Sequence, residues 1–231
     1  HCREGLTQRD AIEAVLEGRR QALSEHPEIK NGILLCAMSV GPETVNMQEN
    51  LQTVRLTRQY LGSGVVGLDL AGAEGIVPLE NFHPIFDLAR ELSLPFTCHA
   101  GDSQGPETVR AALDFGAKRI GHGHHIYDDP TLWPRAIRQG VTLEICPTSN
   151  IQCKTQPSYA LHPAKRLLDA GLRVTISTDN MTLAAVTLED EYRHCVTQMG
   201  FTGEDLRTMA RYALDAAFLP EAEKREIAGK F

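Results

Sequence analysis

One pattern recurs along this chain and limits its fold more than any other feature. A short apolar run is followed by a turn and then by a longer amphipathic stretch. The apolar runs predict strands at Ile33–Val40, Val65–Leu70, Pro95–His99, Arg119–Gly121, Val141–Cys146 and Arg173–Thr178. The stretches between them predict helices at Met47–Leu61, Leu79–Leu92, Pro106–Phe115, Thr131–Gln139 and Pro163–Ala170. A further helix, Gln8–Leu23, precedes the first strand, and two or three more occupy Leu188–Phe231. Pro130 and Pro163 suit helix starts, while Gly116, Gly140 and Gly171 stand where left-handed caps belong. Strands with few alternating polar residues, separated by helices, imply a parallel sheet shielded on both faces.

A doubly wound sheet and a barrel both satisfy that pattern. No G-x-G-x-x-G follows any strand, which argues against the dinucleotide-binding version. Asp69, His99, His122, Cys146-Pro147 and Asp179 each fall at or just past the C-terminal end of a predicted strand. An open sheet concentrates such groups at one crevice, whereas in a (β/α)8 barrel every strand end reaches the active-site face. The barrel is therefore the better reading. Six strands are visible where eight are required, and the leading helix has no strand before it. The expectation is one incomplete barrel domain over residues 1–231, about six of eight βα units, with extra C-terminal helices and two units lacking at the front.

Composition excludes several classes. The chain is 42% hydrophobic with 19 glycines, enough for a sizeable core, and its apolar runs are too short to span a bilayer. With 23 basic against 30 acidic residues the net charge is −7, and the longest basic block is the pair Arg19-Arg20, so no nucleic-acid surface is expected. Cys2, Cys36, Cys98, Cys146, Cys153 and Cys195 are widely spaced with no C-x-x-C, which reads as buried thiols in a reducing cytoplasm rather than disulfides.

The polar strand ends carry the chemistry. His99 reads either as a metal ligand with Asp102 as proton donor or acceptor, or as a backbone-bonded histidine with Asp102 leading into a helix cap. Asp179 follows the apolar run Val174–Thr178 and reads as a site carboxylate or as an N-cap. His122 and His124 share a strand face only if the strand continues past Gly123, so a single functional His122 is favoured over a two-histidine chelate. Gly72 suits close approach of a ligand to the backbone, or an ordinary turn.

The order of these motifs is more specific than any one of them. His-Ala-Gly-acid, Arg-Ile-Gly-His-Gly, Glu-Ile-Cys-Pro-Thr-Ser-Asn and Ser-Thr-Asp-Asn, preceded by Asp-Leu-Ala-Gly and followed by Met-Gly-Phe-Thr and Ala-Phe-Leu-Pro, closely resemble adenosine deaminases across nearly the whole chain. The resemblance implies a Zn2+-dependent barrel hydrolase converting adenosine or deoxyadenosine, a small purine nucleoside, to its inosine counterpart and ammonia. On this sequence His99 and Asp179 match zinc ligands, and His122 matches the histidine that orients and deprotonates the zinc-bound water. Asp102 stands for the glutamate that protonates purine N1. Gly72 matches the backbone donor to N3, and Asn180 stands where many relatives have an aspartate facing N7. Zinc lowers the pKa of a bound water to about 7. Attack at C6 is assisted when a carboxylic acid kept partly neutral supplies a proton to N1. The chain departs from the family in two places: no His-x-His precedes His122, and Asp102 is one methylene shorter than glutamate. A catalytically silent purine-binding relative, or a deaminase of another aminopurine compound, are the competing readings.

Overall fold

A computed structural model describes residues 5–42 and 44–229. Cys2 lies outside the described residues. Helix α1 (Gln8–Glu25) opens on a capping box, with Thr7 and Asp10 exchanging side-chain and backbone hydrogen bonds. The following βα succession runs β1 (Ile33–Ser39), α2 (Met47–Tyr60), β2 (Val65–Gly72), α3 (His83–Glu91), β3 (Thr97–Ala100), α4 (Pro106–Phe115), β4 (Arg119–His122), α5 (Trp133–Gln139), β5 (Thr142–Ile145), α6 (Pro147–Gln152), α7 (Ala164–Asp169) and β6 (Arg173–Ile176). Then come α8 (Met181–Ala184), α9 (Leu188–Gln198), α10 (Gly203–Ala216) and α11 (Glu221–Ala228). Every predicted strand is present. The short helices α6 and α8 fall in segments where periodicity had too few residues to register. Gly116, Gly140 and Gly171 take the left-handed conformation expected of them, with φ of 84°, 65° and 88°.

All strand pairs are parallel and follow chain order, β1–β2 in one ladder and β3–β4–β5–β6 in another. The two ladders join where Leu68 N–H donates to Pro95 O at 3.0 Å and Leu68 bridges Phe96. Alternation along the strands separates two environments. Leu68, Leu70, Cys98, Ile120, Leu143, Ile145 and Val174 pack into the main apolar core beneath the helices. The opposite face is polar: Arg119 pairs with Glu144 at 2.7 Å, and Thr97 Oγ1 donates to Glu144 Oε2 at 2.8 Å. Among the described cysteines, Cys98, Cys146 and Cys195 are buried, but Cys36 and Cys153 are exposed, against expectation. Cys36 lies on the less buried face of β1, paired in register with Asp69, and Cys153 lies at the C-terminal end of α6. None of the described cysteines is in a disulfide.

The fold also buries a carboxylate. Glu191, on α9, is fully buried and accepts the Thr148 N–H near the start of α6 at 3.1 Å. Burial lifts its pKa to about 6, with the Thr148 N–H pulling the other way. An acid with a raised folded pKa stabilises the fold fully below its unfolded value near 4.5, and that contribution is lost as pH rises to about 6. Glu191→Gln should therefore gain on the order of 2 kcal/mol over wild type between pH 4.5 and 7. Urea midpoints at several pH values read this directly, and parallel profiles for the two proteins would contradict it.

Candidate active site

The parallel strands deliver their C-terminal ends to one side, where the chemistry-bearing residues collect. His99, on β3, places its ring beside β4, and position 121 there is glycine. A Cβ at Gly121 would lie 2.9 Å from His99 Nδ1, so the glycine makes room for the imidazole. His99 Nδ1 meets Asp69 of β2 at 3.1 Å, which leaves Nε2 as its free nitrogen. Burial opposes protonation of His99, yet the Asp69 hydrogen bond and charge, reinforced by Glu144 and Asp179, hold its pKa at about 9. The His99 and His122 rings stand edge to face, 5.3 Å apart.

Two site residues adopt left-handed backbone without being glycine, His122 at φ 59° and Asp179 at φ 55°. Such geometry costs about 1–2 kcal/mol and persists where the surroundings impose it. At His122 the turn continues through Gly123, so strand alternation ends there, and His122 and His124 do not lie on one strand face. Asp179 comes three residues after β6, accepts Ser149 Oγ at 2.6 Å, and does not cap α8. Asn180 does: its Oδ1 accepts Leu183 N–H at 2.9 Å, leaving its NH2 group as the remaining donor. Gly72 ends β2 at φ 118°, and a Cβ there would run into Ser39 O, so local packing alone demands glycine.

Asp102 is not a helix cap either, since α4 is capped at Gly105. Its Oδ1 accepts Asn150 Nδ2 at 2.9 Å and Thr155 Oγ1 at 3.3 Å, and stands 3.4 Å from His122 Nδ1. Burial pushes the His122 pKa down, with the Asp102 charge opposing it. His124, fully buried, has neither ring nitrogen hydrogen-bonded, and burial with neighbouring histidines drives its pKa to about 2. Asp102, His122 and His124 each bring a ligand-type atom within 4.8 Å of the others. That donor set suits a divalent cation, but Asn150 Nδ2 already donates to two of its members.

Residues that motif reading passes over hold this arrangement. Glu74, just after β2, accepts the backbone N–H of Gly101 (2.6 Å), Asp102 (3.0 Å), Ser103 (2.7 Å) and Gln104 (3.2 Å), and also Thr108 Oγ1 at 2.8 Å. One carboxylate thus shapes the loop that carries Asp102. His162 is likewise buried and central, and a lone glutamate or histidine gives no signal in sequence of the distant group it will meet; Asn150, also buried, closes the Glu-Ile-Cys-Pro-Thr-Ser-Asn motif, which does not reveal that it meets Asp102.

The adenosine deaminase family model matches residues 1–231. This chain belongs to that family. It is 37% identical over 230 residues to an adenosine deaminase of Haemophilus ducreyi, covering 98% of this chain and 66% of that protein. It is 35% identical over 223 residues to one of Lacticaseibacillus casei, covering 96% and 64%. The chain therefore spans about two thirds of the length of these curated relatives. Among solved structures, the N6-methyl-AMP deaminase of Arabidopsis thaliana superposes with a TM-score of 0.84 at 27% identity, over 97% of this chain and 66% of that one. The fold is accordingly a partial (β/α)8 barrel of the amidohydrolase deaminase type.

For this member of the adenosine deaminase family, the Glu74 contacts generate a specific expectation. Charge-assisted hydrogen bonds contribute about 1.5–3 kcal/mol each, so Glu74→Ala should free the loop well before the rest of the chain unfolds. Amide exchange at Gly101–Gln104 should rise at least about tenfold while α10 is unchanged, and equal protection in the variant would show that Glu74 does not hold the loop.

Proposed function

We propose that this chain carries the catalytic face of a zinc-dependent aminohydrolase that deaminates adenosine and deoxyadenosine in purine salvage. The observation behind this reading is the meeting of His99, Asp102 and His122 at one end of a parallel sheet, with Asp179 just past its last strand. The donor chemistry fits a borderline metal ion. His99 offers a single free nitrogen with its other nitrogen on a carboxylate, the outer-shell pattern that orients zinc-ligating histidines. Asp179 adds a hard oxygen donor held by Ser149. His99 Nε2 and the Asp179 carboxylate would hold the ion, which when bound supplies a water acidified to about pKa 7.

The remaining steps fall to the chain. Asp102 holds a proton at its carboxyl for purine N1, so that C6 becomes more electrophilic as water attacks. His122 orients the attacking water by hydrogen bonding. Gly72 offers its backbone N–H to N3, and the free NH2 of Asn180 faces N7. Curated relatives named as adenosine deaminases support a nucleoside substrate, whereas the Arabidopsis structure is of a nucleotide deaminase. Ammonia release from adenosine, deoxyadenosine, AMP and N6-methyl-AMP by metal-loaded protein decides between them. The nucleosides should react fastest, and ammonia from none of the four would refute the aminohydrolase reading.

The acid has its own test. Asp102→Asn should remove most turnover because an amide cannot supply the proton, while metal content stays unchanged. Asp102→Glu should also lower kcat, by about ten- to a hundredfold, because the longer side chain leaves its Asn150 and Thr155 partners. Full activity in Asp102→Asn would remove this residue from the mechanism.

A further inference from the structure

We infer that His162 and Asn150 act as positioning residues that set the tautomer of His122, presenting it to the site as an Nε2–H donor with its Nδ1 lone pair committed to Asn150. Ala164 N–H donates to His162 Nδ1 at 3.1 Å. A backbone amide can only donate, so His162 Nδ1 carries a lone pair and the ring proton sits on Nε2. That nitrogen faces Asn150 Oδ1 at 3.2 Å, and an N–H needs the oxygen of the amide opposite it. The Asn150 amide is thereby oriented, and its NH2 must point the other way.

On that side it meets two acceptors, Asp102 Oδ1 at 2.9 Å and His122 Nδ1 at 3.0 Å. Because an amide NH2 only donates, His122 Nδ1 must accept, and the proton of neutral His122 sits on Nε2. Nothing along this path is loose. Asn150 and His162 are buried, and Asn150 N–H is itself bonded to Cys146 O at 2.9 Å within α6. Burial, with His125 and His122 nearby, keeps His162 neutral by lowering its pKa to about 3.

The inference deepens the aminohydrolase reading and depends on it for its functional meaning. A histidine fixed as an Nε2–H donor holds a water oxygen in place but has no lone pair facing it, so of the two roles the family resemblance implies for His122 this arrangement serves orientation and not deprotonation. Taking up a second proton at Nδ1 would set that proton against the Asn150 NH2, so the relay disfavours imidazolium. The alternative tautomer would aim Nδ1–H at Asp102 Oδ1, 3.4 Å away, and leave it crowded by the Asn150 NH2 at 3.0 Å, where neither group can accept.

Nitrogen-15 correlation spectra of the histidine rings in the full chain test this without any turnover. The His122 Nδ1 should show a pyridine-type shift and Nε2 a protonated, pyrrole-type shift. Protonation at Nδ1 in the unsubstituted protein overturns the proposal. His162→Phe removes the oxygen-side partner of Asn150, and His122 should then populate both tautomers. The kcat should fall by about ten- to a hundredfold with KM within about twofold, the loss typical of groups that orient catalytic residues. An unchanged His122 spectrum in folded His162→Phe also overturns it. Asn150→Asp places an acceptor against Nδ1 and should shift the proton there. A chain inert toward every aminopurine but with the Nε2–H tautomer would lose the aminohydrolase reading and keep the relay.

Discussion

Six strands that all run the same way must end on the same side, and the site depends on that one constraint. Asp69 of β2 reaches His99 of β3 because the ladders are parallel and joined through Leu68 and Pro95. His99 in turn lies over β4 because register places Gly121 opposite it. A β-branched or aromatic residue at that position would push the imidazole off the sheet. The strand faces divide the labour, with apolar side chains building the core under the helices and polar ones gathering opposite, where Arg119 pairs with Glu144 and Thr97 donates to it.

Burying polar groups at such a site is costly unless each finds a partner. Asn150 meets that demand most fully, with its carbonyl oxygen and both its amide hydrogens engaged by three different residues. Glu74 does the same for the loop after His99, collecting four successive backbone N–H groups that no strand or helix would satisfy. His124 is the exception. Its ring is buried with both nitrogens unpaired, packed 4.4 Å from His125 and 5.6 Å from His162, and it remains neutral. Left-handed backbone at His122 and Asp179 is a second cost concentrated at the same place. Caps elsewhere follow local rules, as the capping boxes at Thr7, Thr187 and Thr202 show.

Periodicity and strand-end polarity made the βα succession legible, because a strand or helix is a property of neighbouring residues. Its errors were local as well. Cys36 was expected to be buried, yet it sits on the less buried face of β1, paired with Asp69, a placement set by register rather than by its own chemistry. Asp179 was a candidate site group and a candidate cap, and only the path of the chain after β6 assigned the cap to Asn180 instead. Family motifs singled out His99, Asp102, His122 and Asp179 as candidates because each stands in a short contiguous signature.

By itself, then, the sequence determined the order of strands and helices, the residues at the strand ends and the family to which they belong. Tertiary structure alone decided what those residues meet. Glu74 acts on a loop 27 to 30 positions away, Asn150 on Asp102 at 48, and His162 on Asn150 at 12. A hydrogen bond forms between atoms about 3 Å apart whatever their separation along the chain. Signals confined to a few neighbouring residues therefore carry the elements but not the contacts that orient His122.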